Sequence, residues 1–344
     1  MPITTPLTAL LGIKHPILLA PMAALAGSRL VGAVTEAGGF GILGGGYGDR
    51  EWLEAETAKL KDFAKPFGIG FITWSMAKQP VLLDIALAAK PRAIMLSFGD
   101  PTAFAPRIRD AGVLLICQVQ SEDMAKQALD AGADILIAQG TEAGGHGASR
   151  TTLDIVPAII DLCAGRVPVV AAGGIADGRG LAAMMMLGAS GVLMGTRFYA
   201  SIEADGADEA KRRICSANAG ETVRGVVPDW SRNIFWPAPF TGRTLINEHV
   251  RRWTGHEVEL MQKVGKVSAE YFAARAAGNF DIAVVFAGES VGLIHDIPPA
   301  AEIVERIVTE AEQLLLGRRN SATVVSFPSP LVGEGGAHRQ MRDG

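Results

Sequence analysis

"VPVVAAGGIADGRGLAAMMMLGASGVLMGTRF", Val167 to Phe198, reads as one complete strand–helix–strand unit. Its two apolar runs, VPVVAA and GVLM, are nearly continuous, the pattern of strands buried on both faces of a parallel sheet covered by helices. Asp177 stands where it caps a helix over 177–187, and Gly188 where that helix ends and turns into the next strand. Gly173 and Gly174 follow the first strand directly; Gly195 and Thr196 follow the second.

Outward from this unit the same alternation recurs. Apolar runs fall at 17–20, 40–43, 67–71, 93–97, 113–119 and 134–138, followed by those at 167–172 and 191–195. Helical patterns fill 28–37, 50–64, 80–89, 102–110, 121–130, 152–163, 177–187 and 300–316. Eight βα units are the number at which a parallel sheet closes into a (β/α)₈ TIM barrel, so an α/β barrel is predicted over 1–317. A doubly wound open sheet is the alternative. The alternation stops at 200–285, where Trp230, Trp236 and Trp253 stand among Pro and Gly. This predicts a helical insertion between the last strand and the last helix, either a lid beside the catalytic face or a merely structural subdomain. Residues 318–344 have no period and many turn formers, and predict a disordered tail.

Bulk properties narrow the function. Of 344 residues, 49% are hydrophobic, and the net charge is −4 with no basic cluster, which argues against nucleic acid as a partner. The N-terminal ILLAPMAALAG is broken by Pro21 and lacks a basic flank, so it reads as a buried strand and turn. No stretch is long enough for a membrane span. Three scattered cysteines, Cys117, Cys163 and Cys215, fit a reducing, cytoplasmic setting.

Three signals compete for the chemistry. GFGILG (39–44) satisfies GxGxxG, but it follows a helix and runs through a strand, so its glycines serve close packing and not a dinucleotide. The paired loops at 173–174 and 195–196 follow strands seven and eight, where barrels commonly hold a phosphate on backbone N–H groups and a helix N-terminus. AQGTEAGGHGAS (138–149) follows strand six and carries His146 on the same face, in what should be a surface connection. A histidine sharing a rim with a phosphate site is a candidate acid, base or ligand. No partner with ligand spacing surrounds it, so no metal is predicted.

ILLAPMA, AQGTEAGGHG, PVVAAGGIADGRG, LMGTRF and AGESVGL together resemble the nitronate monooxygenase family, formerly called 2-nitropropane dioxygenases. The resemblance runs in order from about residue 6 to 316, and flavin-dependent enoyl-ACP reductases share the same loops. It implies an FMN-dependent oxidoreductase that oxidises alkyl nitronates, or nitroalkanes, with O₂ to a carbonyl compound and nitrite. The implied alternative is an NAD(P)H-dependent flavin reductase acting on a quinone or an enoyl thioester. The resemblance places the FMN phosphate at Gly173, Gly174, Gly195 and Thr196, beside Met194. It lays Ala20, Pro21 and Met22 along the flavin ring, with Gln118, Gln139 and Gly144 as further contacts. His146 becomes the active-site histidine and Ser290 a serine facing the substrate, with Gly144 and Gly145 leaving room for flavin and substrate. Gly70 stands where some members carry Asn, and the Tyr and Lys that some carry after the serine are absent.

Overall fold

The computed structural model describes residues 3–317; the tail expected at 318–344 lies outside them. The strands are β1 (Ile17–Leu19), β2 (Ile42–Gly46), β3 (Gly68–Ile72), β4 (Ala93–Ser97), β5 (Leu114–Val119), β6 (Ile135–Gln139), β7 (Gly145–Gly147), β8 (Val169–Ala172) and β9 (Gly191–Met194). All but β7 form one parallel sheet in the order β1-β9-β8-β6-β5-β4-β3-β2. A further parallel bridge joins Leu18 to Phe40 and brings the two ends together, so the sheet is a barrel and the open alternative falls. Every predicted strand and helix forms.

Strand alternation divides the core in two. Leu18, Ile42, Met95, Ile116, Ile137 and Leu193 fill the barrel, while a larger shell of aliphatic side chains packs sheet against helices. The short helix Pro6–Leu11, unread in the sequence, plugs the N-terminal end by adding Leu7 and Leu11 to the barrel interior. Function is therefore left to the other end.

The insertion contributes more than helices. It adds β10 (Thr222–Gly225) and β11 (Thr241–Leu245), and β11 pairs antiparallel with β10 on one side and with β7 on the other. Gly242 of β11 stands opposite His146 of β7. The insertion is thus laced by backbone hydrogen bonds to the segment that carries the candidate histidine. Among the described residues, no helix is long and apolar enough to cross a membrane, and no cluster of His, Cys, Asp and Glu could hold a metal.

Candidate active site

The barrel interior is aliphatic until its last layer. There the inward positions of β4, β5 and β6 become Ser97, Gln118 and Gln139, all buried, with Ser97 in register with Gln118. Buried polar atoms need partners. Yet Ser97 Oγ, and at the neighbouring exits Thr73 Oγ1, Trp74 Nε1 and Gln120 Oε1, have none among the described residues. These orphaned groups all lie at the C-terminal ends of β3, β4 and β5, on one end of the barrel.

The predicted cofactor residues border this layer. Ala20 to Met22 cross the exits of β2 and β3, and a Cβ at Gly70 would stand 2.4 Å from the Pro21 ring carbon. This close approach explains glycine where some family members carry a larger residue. The Ala20 amide donates to the Met194 carbonyl at 3.0 Å, tying the first exit to the last. Gly173 and Gly174 have φ of 110° and 72°, a turn only glycine adopts without strain. Among the described residues, no backbone or side-chain acceptor takes the amides of Gly174, Gly195 or Thr196. They remain available to an anion.

The N-terminus of the helix that follows β8 is already occupied. The helix Gly178–Met186 is capped by Asp177, which accepts from Gly180 at 3.1 Å, and Glu310 accepts from the Gly178 amide at 2.8 Å. Two carboxylates of the chain already hold those amides.

His146 departs most from its sequence reading. Its segment is no solvated connection: it is the short strand β7, and the His146 side chain is only 10% exposed. Two arginines of the insertion, Arg224 half-buried and Arg243 buried, clamp the loop before it. Arg224 donates to the carbonyls of Thr141 (2.8 Å), Ala143 (2.9 Å) and Thr241 (2.6 Å). Arg243 donates to Thr141 O at 2.9 Å and pairs with Glu289 at 2.8 Å. Burial, with Arg243 alongside, lowers Arg224 to about 10, which leaves it charged near neutral pH. Gln139 donates from Nε2 to the His146 carbonyl at 3.0 Å and accepts from Gln120 at 2.7 Å. Its amide is thus engaged in placing the histidine.

The space beside Gly144 is taken by protein. A Cβ there would stand 2.6 Å from the backbone of Ala287 and Gly288. A Cβ at Gly145, by contrast, would meet nothing within 4 Å. The 287–290 segment is fixed in turn by Gly288 N donating to Thr196 Oγ1 (3.0 Å) and Glu289 N to Glu142 O (2.9 Å). This brings Ser290, buried in the 3₁₀ turn Glu289–Leu293, beside the histidine loop.

Around the imidazole the structure assembles residues that no motif announced. Nε2 lies 2.9 Å from both carboxylate oxygens of Asp229, which is 2% exposed. Arg232 donates to Asp229 Oδ1 at 2.5 Å and to the Tyr47 hydroxyl at 3.2 Å, and Trp236 Nε1 donates to the same hydroxyl at 2.9 Å. The Trp236 ring stacks on the imidazole, centroids 3.5 Å apart and 9° from parallel. Phe286 lies at 5.5 Å, and Phe98, held at φ 63°, at 6.2 Å. Burial lowers the pKa of His146 below its usual 6.5; Arg232 and Arg224 add to this, while Asp229 works against it. Breaking a buried ion pair such as Asp229–Arg232 costs about 3–5 kcal/mol, so the cluster is a fixed part of the fold. The one sequence signal for it was the tryptophan density of the insertion.

With that geometry in place, the chain can be set beside known proteins. Residues 4–81 and 76–310 match the family described as nitronate monooxygenase. Nitronate monooxygenase npaC of Metarhizium robertsii is 34% identical, the match covering 88% of this chain and 92% of that protein. A (3aS,4S,5R,7aS)-5-hydroxy-7a-methyl-1-oxo-octahydro-1H-indene-4-carboxyl-CoA dehydrogenase of Mycobacterium tuberculosis is 31% identical over 90% of this chain and 97% of its own. The structure of FabK from Thermotoga maritima superposes with a TM-score of 0.81 at 32% identity, covering 92% of this chain and 98% of that one.

Proposed function

The chain belongs to the nitronate monooxygenase family of flavin-dependent oxidoreductases, and from that premise we propose that it oxidises nitroalkanes and their nitronates with FMN and O₂, giving a carbonyl compound and nitrite. The observation that carries this reading is the placement of His146, buried with Nε2 2.9 Å from both oxygens of Asp229. Burial lowers its pKa below the usual 6.5, which favours a neutral imidazole suited to removing a proton from a carbon acid rather than to holding an anion by charge. A neutral nitroalkane is such an acid, since its nitro group takes up the electron pair left on carbon.

The amides of Gly173, Gly174, Gly195 and Thr196 would hold the FMN phosphate, with Met194 beneath them. Ala20 to Met22, Gln118 and Gly144 would border the ring, and Ser97, with its free hydroxyl, joins them. When bound, FMN supplies the two-electron acceptor and the reactivity with O₂. One phosphate site and no dinucleotide fingerprint favour FMN over FAD. Ser290 would face the substrate.

A second reading has its own support. The 31% identical mycobacterial relative is named a carboxyl-CoA dehydrogenase, and a proton beside a thioester carbonyl is also a carbon acid. The FabK likeness keeps an NAD(P)H-dependent reductase of an enoyl thioester or quinone within the same reading.

Anaerobic mixing separates the two. Purified protein should be yellow with FMN and bleach on addition of nitroethane or ethyl nitronate. Bleaching by a saturated acyl-CoA, or by NADH or NADPH, with none by either nitro compound, would replace the first reading with the second.

A further inference from the structure

Asp229 lies 83 residues from His146 in sequence, on the short insertion helix Val227–Trp230, yet both its oxygens contact one imidazole nitrogen. The side-chain hydrogen bonds of His146 among the described residues all run through Nε2, which leaves the other nitrogen, Nδ1, to the site. The carboxylate is not free to wander, because Arg232 grips Oδ1 and is itself anchored on the Tyr47 hydroxyl. Nor is the imidazole free to turn over, because Trp236 lies flat against it at 3.5 Å.

A carboxylate only accepts hydrogen bonds, so the nitrogen facing Asp229 must carry the proton. In a neutral imidazole the remaining nitrogen is then an unprotonated acceptor. We propose that Asp229 is a positioning residue that holds His146 as the Nε2–H tautomer and thereby makes Nδ1 the proton acceptor, with Arg232 and Tyr47 fixing the carboxylate. This rests on His146 acting as a base. In the step served, the substrate C–H bond breaks and its proton forms an N–H bond at Nδ1. The electron pair stays on the substrate, delocalised into its nitro or carbonyl group. The resulting imidazolium faces Asp229, whose charge offsets the opposing charges of Arg232 and Arg224.

The tautomer can be read without mutation. Nitrogen-15 NMR of histidine-labelled holoenzyme near neutral pH should show His146 protonated at Nε2 and bare at Nδ1; protonation at Nδ1 overturns the proposal. Asp229→Asn would offer an amide N–H to Nε2 and invert the tautomer. Turnover of neutral nitroethane should then fall about 10²–10⁴-fold in kcat with little change in KM. Residual activity should show its acid limb moved to lower pH, because the carboxylate that favours the imidazolium is gone. Asp229→Glu should recover part of the rate, and flavin content and melting temperature report folding. If Asp229→Asn does not fold, the tautomer measurement alone decides. If His146→Asn retains the full rate, the base reading fails first. If His146→Asn is crippled while Asp229→Asn keeps the wild-type rate and acid limb, only the role of Asp229 is lost.

Discussion

Where β8, β9 and β1 leave the barrel the chain carries Gly173, Gly174, Gly195 and Ala20; where β2, β3 and β4 leave it the chain carries Tyr47, Trp74 and Phe98. On the first side the available groups are backbone amides, and any side chain would obstruct them. On the second side they are side chains, joined by Trp236 and Phe240 from the insertion in edge-to-face contacts 5.1–6.4 Å apart. Aromatic residues are only 6% of the chain, so their gathering here is selective. A cofactor phosphate, the same in every turnover, suits a backbone cradle. A substrate that must be told from its neighbours suits side-chain walls. The contrast also explains how Phe98 tolerates a positive φ, since packing against Trp236 and Phe240 determines its place.

The sharpest way to break this division is to put a charge into the glycine side. Gly174→Asp should give a folded but colourless protein with no turnover. Asp tolerates the left-handed region better than most residues, so the added negative charge decides the outcome. A mutant retaining full flavin would remove the phosphate from this loop.

His146→Asn tests the middle of the mouth. It should cost about 10²–10⁴-fold in turnover of a neutral nitroalkane while flavin is retained, and far less with preformed nitronate. Because His146 is buried, some stability should go with it. Flavin loss in step with activity would mean that the two sides are not separable.

A smaller effect is expected on the aromatic side. Trp236→Ala removes a stacked ring, a contact of about 0.5–1.5 kcal/mol, and should lower kcat/KM by roughly 2–12-fold with the flavin spectrum intact. A change in cofactor affinity instead of substrate preference would count against the walls-and-cradle division.

The smallest expected effect is on stability. His15, His146 and His249 are all lowered below 6.5, burial being the largest cause in each. The unfolded chain takes up these protons near pH 6.5 while the native chain resists. Their contribution is therefore complete above that pH and is lost as pH falls below it. Melting temperature should drop by on the order of a few degrees between pH 7.5 and 5.5. No drop, or a rise, would show that the buried imidazoles gain protons without penalty.

The sequence revealed these regions unequally. All eight barrel strands were readable because each is a local apolar run between amphipathic helices, and the glycine side because a backbone site leaves its glycines in the sequence. The cluster of Asp229, Arg232, Tyr47 and Trp236 was not, since each reaches His146, directly or through a neighbour, only across long separations in sequence. GHG at 145–147 has no strand propensity at all. It becomes a strand because β11 supplies the ladder and Arg224 draws the preceding carbonyls together.

That pairing of β7 with β11 bears on the order in which the protein matures. The barrel strands and their glycine turns come from residues up to Thr196, closed by the helix Ala300–Leu315, whereas the imidazole gains its neighbours only where residues 222–245 fold against it. Cofactor uptake and catalytic competence should therefore be separable events during refolding. Flavin fluorescence should quench before turnover returns, and the interval between them would be the lifetime of a coloured but inactive protein.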